Sequence, residues 1–103
     1  MADRELLEKA AKAAGMADAT FANDSRDYGG PCMWSRALFD EHGTGYWNPL
    51  TDDGDALRLA VKLNLWAAVR DGYQHASSGA DLYAATRRAI VRAAAALGDS
   101  GEG

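Results

Sequence analysis

Between Asp3 and Ala14, apolar positions recur three and four residues apart: Leu6, Leu7, Ala10, Ala11, Ala13 and Ala14 gather on one stripe, and charged residues occupy the rest. That is the spacing of an amphipathic helix. Asp3 stands where an N-cap is wanted, Glu5/Lys9 and Glu8/Lys12 are i,i+4 pairs with the acid first, and Gly15 supplies the left-handed residue that ends helices. The helical period then disappears. Residues 16–50 hold Gly29, Gly30, Gly43 and Gly45, Pro31 and Pro49, and most of the aromatic side chains. This mixture predicts short extended segments over 19–22, 32–38 and 45–47, separated by turns at 23–30 and 40–43. A helix over 35–41 is the alternative for the middle segment.

Helical spacing returns after Asn48 and Pro49. Thr51, Asp52, Asp53 and Asp55 offer oxygens to the unpaired N–H groups of a helix start. Residues 56–65 are apolar except Arg58, Lys62 and Asn64, so this central helix is expected to be packed around most of its circumference. The run from Trp66 to Val69 suits either a strand or a continuation of the helix ending by Asp71 and Gly72, and the continuation is preferred. A loop over 73–79 leads to a last helix opened by Ala80 and Asp81. Its inward stripe is Leu82, Ala85, Ala89, Ile90, Ala93 and Leu97, its polar side carries Arg87, Arg88 and Arg92, and Gly98 stops it. The sum is an α+β fold, three helices packed with a small antiparallel sheet of short strands, in one domain over 1–98 with a flexible tail at 99–103.

Composition alters this picture in one respect. The 103 residues include 22 alanines but only 16 Val, Ile, Leu and Phe together, so Trp and Tyr must help fill the interior. Trp47 and Trp66, which flank the central helix, are the expected core members. Tyr28, Trp34 and Tyr46 lie in glycine-rich segments and suit core or surface equally. Fifteen acidic against eleven basic residues give a net charge of −4, the reverse of the basic footprint that neutralises phosphates, so no direct DNA binding is expected. No run approaches the length of a membrane span, the first residues are charged, and Cys32 has no second cysteine to pair with. The expectation is a cytoplasmic protein without a membrane segment.

Chemistry is sparse. Cys32 with His42 or His75 would make a thiolate–imidazole pair, but no local signature surrounds it, and a small buried hydrophobe is the preferred reading. Asp52, Asp53 and Asp55 crowd together as a cation site would, yet the calcium-loop pattern is absent and helix capping accounts for them. Arg87, Arg88 and Arg92 suit a phosphate or acidic partner, or simply a solvated face near a helix C-terminus. No metal, cofactor or catalytic residue is expected.

The segments RELLEKAAKAAG from Arg4, WNPLTDDGDALRLAVKL from Trp47 and ATRRAIVRAAA from Ala85 occur in this order. Together they resemble a group of small uncharacterised proteins encoded by bacteriophages and prophages of Gram-negative bacteria. The resemblance runs over about the whole chain, and the Trp47 block carries most of it. It departs at 16–46 and 64–80; the later stretch looks like paired strands in the relatives and is short and alanine-rich here. It implies a phage setting and no activity.

With the acidic balance, this leads to an expected phage accessory protein that binds a host protein without catalysis, most concretely an inhibitor of an antiviral defence complex such as a CRISPR effector. Its partner-binding residues would be Asp24, Asp27, Asp40, Glu41, Asp52 and Asp53, meeting Lys and Arg on the target, together with Tyr28, Trp34 and Tyr46. The alternative is a structural or self-assembling phage protein, a homo-oligomer whose alanine-rich helices pack on copies of themselves.

Overall fold

The computed structural model describes residues 3–16, 18–22, 32–43, 45–74 and 81–100. Along the described chain the elements are α1 (Asp3–Ala13), β1 (Thr20–Ala22), β2 (Cys32–Trp34), α2 (Arg36–His42), β3 (Tyr46–Trp47), α3 (Asp53–Leu63), α4 (Trp66–Gln74) and α5 (Leu82–Ser100). The molecule is a small α+β domain with five described helices where three were expected. Asp24, Asp27, Tyr28 and the 99–103 tail beyond Ser100 lie outside the described residues, as does His75.

Helix α1 buries Leu6, Leu7, Ala10 and Ala11, the stripe its spacing predicts. It ends at Gly15, whose φ of 84° lets the Gly15 N–H reach the Lys12 carbonyl and the Met16 N–H reach that of Ala11. Asp3 is not the cap; it is the first helical residue, and its carboxylate takes the Arg88 guanidinium at 3.1 Å, tying α1 to α5.

The three strands pair antiparallel in the order β1-β2-β3. Met33 lies opposite both Phe21 and Trp47, and Trp34 opposite both Thr20 and Tyr46. Side chains alternate between sheet faces, so Met33 and Trp47 share the face that enters the core, at 2% and 5% exposed, while Trp34 and Tyr46 share the other.

The middle extended segment stops at Trp34, and the helical alternative prevails from Arg36 onward. Ser35 is the reason: its backbone is extended, its hydroxyl accepts from the Leu38 N–H at 3.3 Å, and Gly43 closes the helix at φ 81°. The expected turn over 40–43 is therefore the end of α2.

Asp52 caps α3, accepting from the Asp55 N–H at 2.8 Å. The helix does not run on past Leu63. Asn64 adopts φ 56°, ψ 53°, its N–H turns back to the Ala60 and Val61 carbonyls, and the Leu65 N–H joins the Ala60 carbonyl. Asparagine tolerates this left-handed conformation, and after it the chain restarts as α4. Residues 66–74 are thus helical but belong to a separate helix, which also absorbs Tyr73, expected in a loop. The break carries Trp66 out of the interior: it is 52% exposed, not a core residue. Nor is α3 packed around most of its circumference, since Leu57 and Val61 are more than half exposed.

Of the inward stripe expected on α5, Ile90 is buried but the two leucines are not. Ile90, Val91, Ala94 and Ala95 are buried, whereas Leu82 and Leu97 are each over 40% exposed. Gly98 does not stop the helix. It is buried within α5, where a Cβ would collide with the Lys9 carbonyl oxygen of α1. The two backbones approach so closely that only the smallest residues fit between them, so the inward side follows size rather than hydrophobicity. Leu6, Leu7, Met33, Trp47, Leu59, Ile90 and Val91 complete the core with these alanines. No helix among the described residues is long and apolar enough to cross a membrane.

Candidate functional site

Four of the residues singled out from sequence are brought to one side of the molecule by α2 and the outer face of β2–β3. Trp34 stands opposite Tyr46 on the sheet and packs against Gly45, where an added Cβ would lie 2.6 Å from the indole. Its ring centroid is 6.4 Å from that of Phe39 on α2. The Arg36 guanidinium covers Phe39 at 5.8 Å and pairs with Asp40 at 3.2 Å. Glu41 and Tyr46 both line a recess of about 320 Å³ between α2 and α3, where Leu38, Trp47 and Leu59 are apolar walls and Arg58 and Lys62 bring positive charge.

The backbone between Trp34 and Phe39 is pinned by a carboxylate. Asp18 accepts from the Ala37 N–H at 3.2 Å and the Ser35 hydroxyl at 2.9 Å. These two donors, the backbone one first, hold its carboxyl below the usual 3.8. Phe39 is nearly half exposed, Trp34 and Tyr46 are partly buried, and Asp40 and Glu41 are exposed. The arrangement is an aromatic strip edged by carboxylates, a surface that offers apolar contact and charge recognition together.

Asp52 and Asp53 do not join this group. Asp52 is occupied as the α3 cap, and Asp53 takes the Arg87 guanidinium at 2.6 Å. Asp55, the third carboxylate of the cluster, is 4% exposed and accepts from the Asn48 N–H at 2.9 Å and from Arg58 at 2.6 Å. The three carboxylates thus diverge to different partners, Asp52 alone acting as the expected cap, and no group of three or more metal-ligating residues forms among the described residues. Cys32 is 0% exposed. Two of the three arginines of α5 are structural: Arg87 bridges Asp53 and the Leu50 carbonyl, and Arg88 holds Asp3, while Arg92 is exposed.

A second surface was not expected from sequence. Helices α3, α4 and α5 enclose an apolar groove of about 630 Å³, floored by Ala56, Ala60 and Ile90 and lined by Leu57, Trp66, Val69, Tyr73, Leu82 and Tyr83. The available signal was Leu57 and Val61, one turn apart on α3. Expecting that helix to be packed around most of its circumference concealed it.

Compared with known proteins, the chain matches no family model, no curated protein and no solved structure.

Proposed function

We propose that this protein acts by binding another protein, without catalysis, through the α2 and β2–β3 face. The observation that carries the reading is the juxtaposition of Trp34, Phe39 and Tyr46 with Asp40 and Glu41. Aromatic residues of this kind dominate interface energetics, and the bordering carboxylates favour a basic partner. The resemblance to phage and prophage proteins supports a specific form of the proposal: the face occupies a Lys- and Arg-rich surface of a host antiviral complex, such as the nucleic-acid channel of a CRISPR effector.

Two linked measurements test it. Bacteria with an active defence complex and expressing the wild-type chain should become permissive to the targeted phage or plasmid, and the purified chain should retain a defence component whose release by salt is steep. The variant D40K/E41K with Phe39→Ala should lose both effects while keeping its circular dichroism. Retention and protection that survive the triple substitution, or no protection by the wild type, would remove the proposal.

A further inference from the structure

We infer that the α3–α4–α5 face is the interface of a two-fold symmetric homodimer. Five large apolar side chains line its groove, Leu57 of α3, Trp66 and Tyr73 of α4, and Leu82 and Tyr83 of α5, and Val61 stands one turn beyond Leu57 on α3; each of the six is between 41% and 71% exposed. None of the nine residues of helix α4 is buried. A helix that short is marginal on its own in water and is held by packing of its apolar side. On this chain it leans on α5 through Gly72, where a Cβ would stand 2.9 Å from Ala89 Cβ and Thr86 Cα. Its two large residues, Trp66 and Tyr73, are left lining the groove.

The shape of the face selects the occupant. In a two-fold contact the same surface must carry both a projection and a recess to receive it. Here Leu57 walls the groove, and Val61, one turn further along α3 and outside the groove lining, is 57% exposed and free to serve as the projection. The projection of one copy can therefore seat in the groove of its partner while the partner's projection seats in its own. Charge does not oppose this. Although the chain carries −4 overall, Arg70 and Arg87 border the groove with Asp53, and Asp71 pairs with Arg70 at 3.9 Å, so the face itself is close to neutral.

The area is also sufficient. At roughly 200 Å² per aromatic and about 100 Å² per aliphatic side chain, the exposed fractions amount to about 500 Å² of apolar surface per copy. Interfaces are about 60% apolar, so two copies would bury about 1,600 Å² in total, the size of a stable specific interface. This inference is independent of the α2 face, which remains outside the contact, and a dimer would present that face twice.

Sedimentation velocity and light scattering across a dilution series test the proposal. The wild type should show a mass about twice 10.9 kDa that falls on dilution. Val61→Glu and, separately, Tyr73→Arg should weaken the dimer by about thirtyfold or more, with unchanged circular dichroism. Both positions are exposed, so each variant keeps its monomer core. Phe39→Ala should leave the dimer mass unaltered, separating this test from that of the partner-binding face. A wild-type monomer at every concentration overturns the inference. So does a dimer indifferent to both substitutions. Uptake of an apolar dye by a strictly monomeric wild type, blocked by Tyr73→Arg, would overturn it in favour of a small-ligand groove.

Discussion

The contact between α1 and the C-terminal half of α5 is made from the smallest side chains in the protein, and the α3–α4–α5 face from some of the largest. On the first, Ala10, Ala11 and Ala14 bury with Ala94, Ala95 and Gly98 until backbone meets backbone. On the second, Trp66, Tyr73 and Tyr83 stand more than half exposed around an open groove. A chain with one isoleucine and three valines has thus closed its core by bringing helices near one another, which leaves aromatic surface over. Close approach gains dispersion contacts from atoms that contribute little hydrophobic area one by one.

The comparison breaks most visibly if bulk is added to the closed side. Ala94 is 0% exposed, and Ala94→Leu has no volume to enter. It should cost about 3 kcal/mol, the upper range for overpacking, measured by urea unfolding. Gly98→Ala should lose about 2 kcal/mol although alanine is the better helix former, because the new methyl meets the Lys9 carbonyl of α1. A stabilised Gly98→Ala would mean that α1 and α5 are not in backbone contact.

Helix α3 walls the open face, and Asp55 anchors it. Removing the carboxylate in Asp55→Ala strands the Asn48 N–H in a buried turn and releases Arg58. A loss of about 2 kcal/mol is expected, within the range for a buried group left unsatisfied. Asp55→Asn should recover part of it, since an amide oxygen still accepts from Asn48. Equal losses in the two variants would argue against the hydrogen bond and for simple packing.

On the open side the same chemistry should be nearly silent. Tyr83→Ser removes a ring that is 71% exposed, and it should change the stability of the monomer by no more than about 0.5 kcal/mol. Measured at dilutions that separate any dimer, a loss above 1.5 kcal/mol from Tyr83→Ser, on the scale of a buried side chain, would place that ring in the core after all.

These contrasts also explain which parts of the molecule were legible in the sequence. α1 was readable because its charged and apolar positions differ sharply, and the α3 start because Asp52 caps it locally. The sheet could be placed from its glycines and aromatics. α5 was readable as a helix but not in its orientation: alanine is nearly neutral to burial, so Leu82 and Leu97 dominated the pattern although a neighbouring backbone decided the outcome. The break at Asn64 looked like one polar position in an apolar run, and with it went the exposure of Trp66. In the candidate site, Trp34, Tyr46, Asp40 and Glu41 were chosen by residue type. Asp18, seventeen residues before Ser35, ties down the start of α2 beside them, and no short-range pattern encodes that contact.

Asp18 supplies the smallest effect, and one whose sign follows from its titration. The Ala37 N–H, and after it the Ser35 hydroxyl, favour the charged carboxylate, so its pKa in the folded protein lies below 3.8. A depressed carboxyl contributes stability that is present above its unfolded value and is lost as pH falls through the folded one. The start of α2 should therefore loosen as pH falls below 3.8 and Asp18 takes up its proton. Amide exchange at Ala37 reads this locally. In the wild type its protection should decline as pH falls through that range, after correction for intrinsic exchange, while in Asp18→Asn it should be lower at neutral pH and nearly flat. Since the group is open to solvent, global unfolding should scarcely register the change. Equal protection in both proteins at neutral pH would show that Ser35 alone holds the start of α2 and that Asp18 is incidental to the aromatic strip.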